Sequence, residues 1–134
     1  METMYLTHPA CRLHEMGSWH PESPQRLDAI SDQLLASGLM PYLDDRQAPA
    51  ASRDDLLRVH TVQYLDSLQE HAPDQGYYPI DPDTLMNPHT YEAALHAAGA
   101  GIAAVDAVMA GDARTAFCAV RPPGHHACRS QAMG

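Results

Sequence analysis

The sequence predicts an α/β protein built on an open parallel sheet with helices packed against it. A short apolar strand opens the chain, a long helix rich in small residues lies near its end, and a nearly continuous apolar strand follows that helix. Strand, helix and strand in this order form the unit from which parallel sheets are built. Binding sites in such sheets lie beyond the carboxyl ends of the strands.

The first strand and the first helix are separated by an irregular polar stretch. The segment "MYLTHP" at 4–9 predicts a short strand that a proline ends. The segment "SPQRLDAISDQLLASG" at 23–38 predicts a helix, because Ser23 can cap it, Pro24 suits its first position and Gly38 suits the residue after its end. One face of this helix carries the apolar residues Leu27, Ile30, Leu34 and Leu35.

Two shorter helices and a loop are predicted next. Ser52 and Thr61 are cap residues, which predicts one helix that ends near His60 and a second that ends before Pro73. Residues 73–88 are rich in glycine, proline and aspartate without periodicity, which is typical of a loop.

The clearest helix precedes the last strand. Asn87 and Pro88 form its cap and first position, and Gly111 ends it. Its many alanines and glycines predict close packing against a sheet, and its larger apolar residues recur at spacings of three and four: Tyr91, Leu95, Ala98, Ile102, Val105 and Met109. The apolar run "RTAFCAV" at 114–120 predicts a central parallel strand buried on both faces.

Composition restricts the function. The chain has 134 residues and a formal net charge of -9, which disfavours nucleic-acid binding because phosphate contacts need clustered basic residues. We find no secretory signal, and the longest apolar run, at 97–105, is too short to span a bilayer. The three cysteines, Cys11, Cys118 and Cys128, are odd in number and widely spaced, which fits a reducing compartment and predicts a cytoplasmic protein.

The segment "RPPGHHA" at 121–127 carries the strongest chemical signal. Its prolines restrict the backbone, Gly124 permits a positive φ, and His125 and His126 present two imidazoles to one small region. Histidine titrates nearest to neutral pH and therefore suits acid or base catalysis. Adjacent histidines also occur by chance in a chain with nine of them.

Several segments, in order, resemble the histone deacetylase family, which comprises zinc-dependent deacetylases and acetylpolyamine amidohydrolases. "RPPGHHA" followed by "AMG" is similar to the catalytic loop of the family. "HPESPQRL" at 20–27 and "LLRVHTVQYL" at 56–65 resemble two further family segments, and "DPDTLMNPHTYEAALHAAG" at 81–99 resembles a loop and helix start of the class II-like bacterial type. The resemblance implies the N-terminal part of the arginase/deacetylase-like open parallel-sheet fold.

The resemblance also implies roles for individual residues. His126 matches the general base and His125 its partner, while Asp83 matches a rim residue that holds the substrate backbone. Gly134 matches a glycine of the acyl tunnel, and Arg26 matches an arginine of an internal acetate channel. Alternatively, Asp83 makes a turn and Arg26 a surface salt bridge. His20 and His60 match positions that look structural.

The zinc ligands of the family, an Asp-x-His pair and a later aspartate, lie downstream of the paired histidines. No Asp-x-His occurs in these 134 residues. We therefore expect 1–134 to be a single partial deacetylase domain that binds no zinc alone and has no turnover alone. The complete enzyme would hydrolyse acetyl or short acyl amides of lysine or a polyamine, with no nucleic-acid or membrane partner.

Other interpretations remain open. His8, Cys11 and His14 are spaced by three residues and could contribute to a zinc site, although no second ligand pair follows at a finger-like distance. Cys128 lies close to His126, but no acid that would orient a Cys/His pair is apparent. As a rival function, the chain is a non-catalytic module that forms a homodimer through an exposed sheet edge, or is completed by a separate chain.

Overall fold

A computed structural model describes residues 2–134. The elements follow in the order β1 (Thr3–Thr7), α1 (Ala10–Leu13), α2 (Gln25–Ala36), β2 (Leu43–Gln47), α3 (Arg53–Leu57), α4 (Val62–His71), β3 (Tyr78–Asp81), β4 (Thr84–Met86), α5 (Thr90–Ala110) and β5 (Thr115–Cys118). A single 3₁₀ turn at Met40–Tyr42 leads into β2. The predicted α/β class, with a parallel sheet and helices packed on it, is confirmed.

The main sheet has three parallel strands in the order β2-β1-β5. The central strand is β1, whose Met4, Tyr5 and Leu6 are buried. The prediction that the last strand is central and buried on both faces is wrong for residues 2–134, because no strand in this range pairs with the outer edge of β5. Phe117 on β5 is accordingly 48% exposed.

Three strands have no counterpart in the sequence prediction. The sequence of β2, "LDDRQ", is polar because this edge strand is largely exposed, so it lacks the alternation that reveals a half-buried strand. The segment predicted as a loop contains the antiparallel pair β3 and β4. An irregular register between Pro79 and Asp81 interrupts its alternation, which explains why no periodicity is visible in the sequence.

The predicted caps Ser52 and Thr61 are found, whereas Ser23 and Asn87 are not N-caps, because Pro24 and His89 occupy those positions. Ser52 forms a capping box with Asp55, and the Thr61 hydroxyl accepts from the Tyr64 amide. Helix α2 begins after Pro24 without a side-chain cap, and Gly38 follows its end with φ +76°. On its apolar face Leu27 is buried and Ile30 and Leu34 pack partly against the core, whereas Leu35 is 61% exposed.

Helix α5 packs on the sheet through its small residues, as predicted. Ala100, Ala104 and Ala107 join Met4 and Leu6 in one buried cluster. The helix ends at Gly111, which has φ +80°. Its start is two residues later than predicted, because the Asn87 side chain accepts from the His89 amide and from the Thr90 hydroxyl and so forms the turn before the helix.

The outer side of α5 carries its larger apolar residues, with Val105 62% and Met109 81% exposed. Within residues 2–134, α5 is the one helix whose length and composition would allow it to cross a membrane. Core helices of other proteins meet the same criterion, and here the small residues of α5 pack against the sheet.

Candidate functional site

The paired histidines lie in a loop at the carboxyl end of β5. Gly124 has φ +67°, a backbone conformation that favours glycine. The amide of Ala127 donates to the carbonyl of Gly124, which closes a turn around the two histidines. The rings of His125 and His126 are exposed, with centroids 4.1 Å apart and planes inclined by 48°. Two imidazoles are thus presented together at the end of the sheet where α/β proteins bind ligands.

Arg121 fixes the first end of this loop. Its side chain is completely buried, and its guanidinium donates to both carboxylate oxygens of Glu22 at 3.0 and 2.6 Å. It also donates to the carbonyl oxygens of Cys11, at 2.8 Å, and of His14. The loop is therefore tied to the segment that follows β1.

The second end of the loop is tied to the start of α4. The Arg129 carbonyl accepts from the Thr61 amide at 3.3 Å and lies 3.2 Å from Nδ1 of His60. The hydroxyls of Thr61 and Ser130 are 3.2 Å apart. The interpretation of His60 as a structural residue is consistent with this contact.

Asp83 lies in the turn between β3 and β4, and its side chain is 87% exposed. His20, whose side chain is 4% exposed, accepts from the Glu22 amide through Nδ1, so the neutral ring carries its proton on Nε2. Nε2 donates to the carbonyl of Asp83 at 3.0 Å and to its carboxylate at 3.1 Å. The structure thus holds Asp83 at a surface turn through His20, with its carboxylate accessible.

A mostly apolar cleft lies between the histidine loop and the β3–β4 pair. Its volume is about 110 Å³. Gly134 lines it and donates its amide to the Thr84 hydroxyl at 3.0 Å. The structure therefore brings Gly134 to the same cleft as Gly124, and places both beside the residue that follows Asp83. Further lining residues are His14, Met16, Met86, Tyr91 and Met133.

His14 lies at the wall of this cleft and is missing from the sequence-predicted site. Its side chain is 2% exposed, and Nδ1 is 2.6 Å from the Thr90 hydroxyl. Burial, and then the charge of Arg121, lower the pKa of His14 to about 4, although Glu22 acts in the opposite direction. Nε2 is buried without a hydrogen-bond partner among residues 2–134 and lies 3.9 Å from a Glu22 oxygen.

Arg26 lies apart from this cleft. Its exposed side chain donates to the Val120 carbonyl at 2.6 Å and borders a shallow apolar groove with Tyr5, Leu34 and Phe117. The residue therefore contacts the backbone just before the histidine loop. It makes no salt bridge within residues 2–134.

The residues considered for a zinc site near the N-terminus point in different directions. His8 stacks on His96 with ring centroids 3.4 Å apart, the Cys11 thiol lies 4.0 Å from the Ala93 carbonyl, and His14 contacts Thr90. Burial raises the pKa of the Cys11 thiol, which disfavours the thiolate that zinc needs.

No group of three histidine, cysteine, aspartate or glutamate side chains suited to a metal ion is found in the part of the chain that the structure describes. His125 and His126 are also without a carboxylate within hydrogen-bonding distance in this range. The residues present therefore do not fit a catalytic zinc ion by themselves.

The fold and the site define an α/β protein whose candidate chemistry is an exposed pair of histidines beside a cleft at the ends of parallel strands. Comparison with known proteins identifies the family. Residues 20–134 match the model of the histone deacetylase domain. The chain belongs to the histone deacetylase family.

Individual relatives agree with this assignment. The chain is 44% identical over 115 residues to a histone deacetylase-like amidohydrolase of Pseudomonas aeruginosa. The matched region covers 86% of this chain and 30% of that protein. It is 35% identical over 122 residues to the polyamine deacetylase HDAC10 of Mus musculus, covering 84% of this chain and 18% of that protein. The crystal structure of the HDA15 HD domain superposes with a TM-score of 0.91 at 31% identity.

The chain spans less than half of the relatives it matches. The superposition with the HDA15 HD domain covers 99% of this chain but 39% of that one. The deacetylase-like α/β fold is thus shown for the superposed 99% of this chain, while most of each relative has no counterpart in it.

Proposed function

We propose that this chain supplies the acid/base loop, the rim and part of the acyl cleft of a deacetylase that hydrolyses acetyl or short acyl amides. The observation that carries the proposal is the histidine pair, with ring centroids 4.1 Å apart, beside a cleft that Gly124 and Gly134 line. An imidazole at this position can accept a proton from water and return one to a leaving amine. In this proposal His126 is the base and His125 its electrostatic partner.

Asp83, Gly134 and Arg26 complete the proposed site. The exposed Asp83 carboxylate is held by His20 and is available to accept a hydrogen bond from substrate N–H groups. Gly134 would leave room for an acyl chain in the cleft. Arg26, an exposed cation on the backbone that leads to the histidines, would attract the carboxylate product.

Zinc in this family would polarise the amide carbonyl and acidify the attacking water. The described residues do not fit that ion, and we propose that its ligands belong to the portion of the relatives that has no counterpart here. The isolated chain is then inactive. The steps assigned to it are substrate positioning and proton transfer.

The charge of the chain and the name of one relative support a proposed substrate class. A net charge of -9 favours cationic substrates, and one relative is named a polyamine deacetylase. We propose acetylated lysine or acetylpolyamine as substrates in a reducing, cytoplasmic setting, where the three free cysteines remain thiols.

Complementation tests this function. The chain would be combined with the part of the Pseudomonas aeruginosa relative beyond the matched residues, and acetate release from an acetyl-lysine peptide and from acetylspermidine would be measured with stoichiometric zinc. We expect turnover only from the combination. His126→Ala should lower kcat by about 10²-fold or more, whereas exposed His71→Ala should not change it.

Two results would count against the proposal. Zinc-dependent turnover by the 134-residue chain alone would contradict its predicted inactivity. A complemented protein whose activity is indifferent to His126→Ala would remove the histidine loop from the mechanism.

A second function is favoured by the uncovered surface. The outer edge of β5 is unpaired within residues 2–134, and Phe117, Val105 and Met109 are exposed beside it or on α5. Exposed edges and apolar patches of this kind promote association. We propose as the alternative a non-catalytic module that self-associates or is completed by another chain through this edge.

A further inference from the structure

Directly before the candidate catalytic loop, a fully buried arginine pairs with a partly buried glutamate. Arg121 is fully buried, and all three of its side-chain nitrogens donate to oxygen atoms. Two of these nitrogens form a bidentate contact with Glu22, while the third donates to the carbonyls of Cys11 and His14. The guanidinium therefore has one orientation that satisfies its surroundings.

Net stability is a weak explanation for this pair. Buried ion pairs can often be replaced by packed apolar residues with little loss of stability, because burying two charges costs about as much as their attraction returns. In the four other arginine–carboxylate pairs of the described residues the arginine side chain is 39–77% exposed, as in Arg12 with Asp28 at 2.8 Å. Arg121 differs from these arginines in being fully buried and in donating from all three side-chain nitrogens.

A short segment with restricted backbone angles connects Arg121 to the histidines. Pro122 and Pro123 follow Arg121 and restrict φ, so the position of the guanidinium limits where Gly124 and the two histidines can lie. The side chains of His125 and His126 make no hydrogen bond to residues 2–134. The loop is consequently held by its ends and not by the imidazoles.

The partner of Arg121 belongs to the tripeptide that also holds the rim. Glu22 contacts Arg121, and His20, two residues earlier, donates to Asp83 at 3.1 Å. The Glu22 amide donates to the His20 ring at 3.1 Å and thereby fixes this ring relative to the backbone of Glu22. One rigid turn, His20–Pro21–Glu22, therefore touches both the substrate rim and the catalytic loop.

We propose that Glu22 and Arg121 are positioning residues for His125 and His126, and that the 20–22 turn keeps Asp83 and the histidine loop in register. The kinetic part of this proposal rests on the proposed function. The structural part does not, and it can be measured in the 134-residue chain.

The structural test measures the order of the loop by NMR. In the unaltered chain we expect backbone order parameters of about 0.85 for residues 124–127, falling below about 0.6 in Glu22→Gln. Asp28→Asn, which removes an exposed pair with Arg12, is the matched control and should leave them unchanged. Unchanged order in Glu22→Gln would overturn the proposal.

An apolar pair separates positioning from folding. The double variant Glu22→Leu with Arg121→Met removes both charges and should remain folded, as judged by its cooperative thermal transition. Because it lacks the directional contacts, we expect loop order to be lost as in Glu22→Gln. If the apolar pair restored native order at residues 124–127, packing alone would be sufficient and the proposal would be wrong.

The kinetic test uses the complemented enzyme and compares two variants, one expected to change kcat and the other KM. The apolar pair should lower kcat by about 10-fold or more with KM changed by less than about 2-fold, because the histidines are misplaced. His20→Phe should raise KM by about 5-fold or more with little change in kcat, because Asp83 loses its anchor. Equal effects of both variants on kcat and KM would contradict the separate roles. Absent activity with intact loop ordering would refute the deacetylase proposal alone.

Discussion

At the scale of single residues, His14 is the clearest case of a property that its local sequence does not show. It directly follows the short helix α1, in a stretch whose sequence predicts no regular element, and it is buried against Arg121 and Thr90. The Thr90 hydroxyl donates to Asn87, so Nδ1 of His14 is the donor in its contact with Thr90. A second proton on Nε2 would place a cation in a buried site beside the Arg121 guanidinium, which explains the low pKa.

This pKa predicts acid sensitivity. A histidine whose pKa is about 4 when folded and about 6.5 when unfolded takes up a proton on unfolding between these values. Its stabilising contribution is therefore complete above pH 6.5, and about 3 kcal/mol is lost as the pH falls towards 4. Urea unfolding at pH 7.0, 5.5 and 4.5 measures this loss.

Two variants identify the residue responsible. His14→Asn retains a donor for Thr90 and should flatten the pH dependence, whereas exposed His89→Asn should preserve it.

A lowered pKa of His8 adds a smaller effect of the same sign, again chiefly through burial. The lowered pKa of Glu15, held mainly by the Tyr77 hydroxyl, acts at more acidic pH, because that contribution is lost below the ordinary carboxylate range. An unaltered pH dependence in His14→Asn would contradict the assignment.

At the scale of elements, the position of α5 depends on a close approach at Gly99. A Cβ atom there would lie 1.9 Å from the Pro49 carbonyl oxygen and 2.8 Å from the Ala51 amide. Beside it the Ala51 amide donates to the Leu95 carbonyl at 2.9 Å, and His96 donates to the Ala48 carbonyl at 2.8 Å. The segment after β2 is thereby fastened to the helix, which in turn packs on the sheet beneath the histidine loop.

Two alanine substitutions in this helix should have opposite effects. Gly99→Ala should lower the free energy of unfolding by about 1–3 kcal/mol, since the contacts at Pro49 and Ala51 are backbone and must shift. Gly101→Ala should raise the free energy of unfolding by about 0.8–1 kcal/mol. No atom outside the neighbouring helix backbone lies within 4 Å of the added Cβ, and alanine is the better helix former. Chemical denaturation compares them, and equal effects would show that the close approach is unimportant.

At the scale of the whole molecule, the outstanding feature is the surface left uncovered. The main sheet has three strands, and within residues 2–134 both outer strands are edges. In the same range the ring of Phe117 stacks on that of Tyr5 alone, with ring centroids 6.1 Å apart. The match covers 30% of the Pseudomonas aeruginosa relative, so more than two thirds of that protein has no counterpart in this chain. We propose that this surface is covered either by further segments of a complete domain or by self-association.

Self-association should depend on the β5 edge. Light scattering over a range of low concentrations should show a mass above that of the monomer, and Phe117→Lys should shift it towards monomer by placing a charge on the edge strand. Val59→Lys, at a 61% exposed site between α3 and α4, is the control and should have no effect. A monodisperse monomer in the unaltered chain would reject the self-association alternative and leave completion of the domain.

Most of the elements could be predicted from the sequence, whereas the roles of the paired histidines stay predictions. The caps at Ser52 and Thr61, the end of α5 at Gly111 and the apolar strand before "RPPGHHA" are local signals, since each depends on neighbouring residues. The edge strand β2 and the β3–β4 pair could not be predicted, because their polar residues become strands only by pairing.

The partners of the site residues also lay beyond local sequence. Glu22 belongs to "HPESPQRL" and Arg121 to "RPPGHHA", but their pairing across 99 positions is a consequence of the parallel sheet. The roles of Asp83, Gly134 and Arg26 stay predictions, and the structure supplies their positions.

The sequence by itself determined the class of fold, the family resemblance and the presence of two adjacent histidines on a restricted turn, because chain geometry and neighbouring side chains fix these properties. Only the tertiary structure decided that His20 contacts Asp83, that Glu22 pairs with Arg121 directly before the histidine loop, and that His14 is buried with a lowered pKa. Hydrogen bonds between distant segments and the removal of water around a charge depend on how the chain is folded in three dimensions, and no local pattern encodes them.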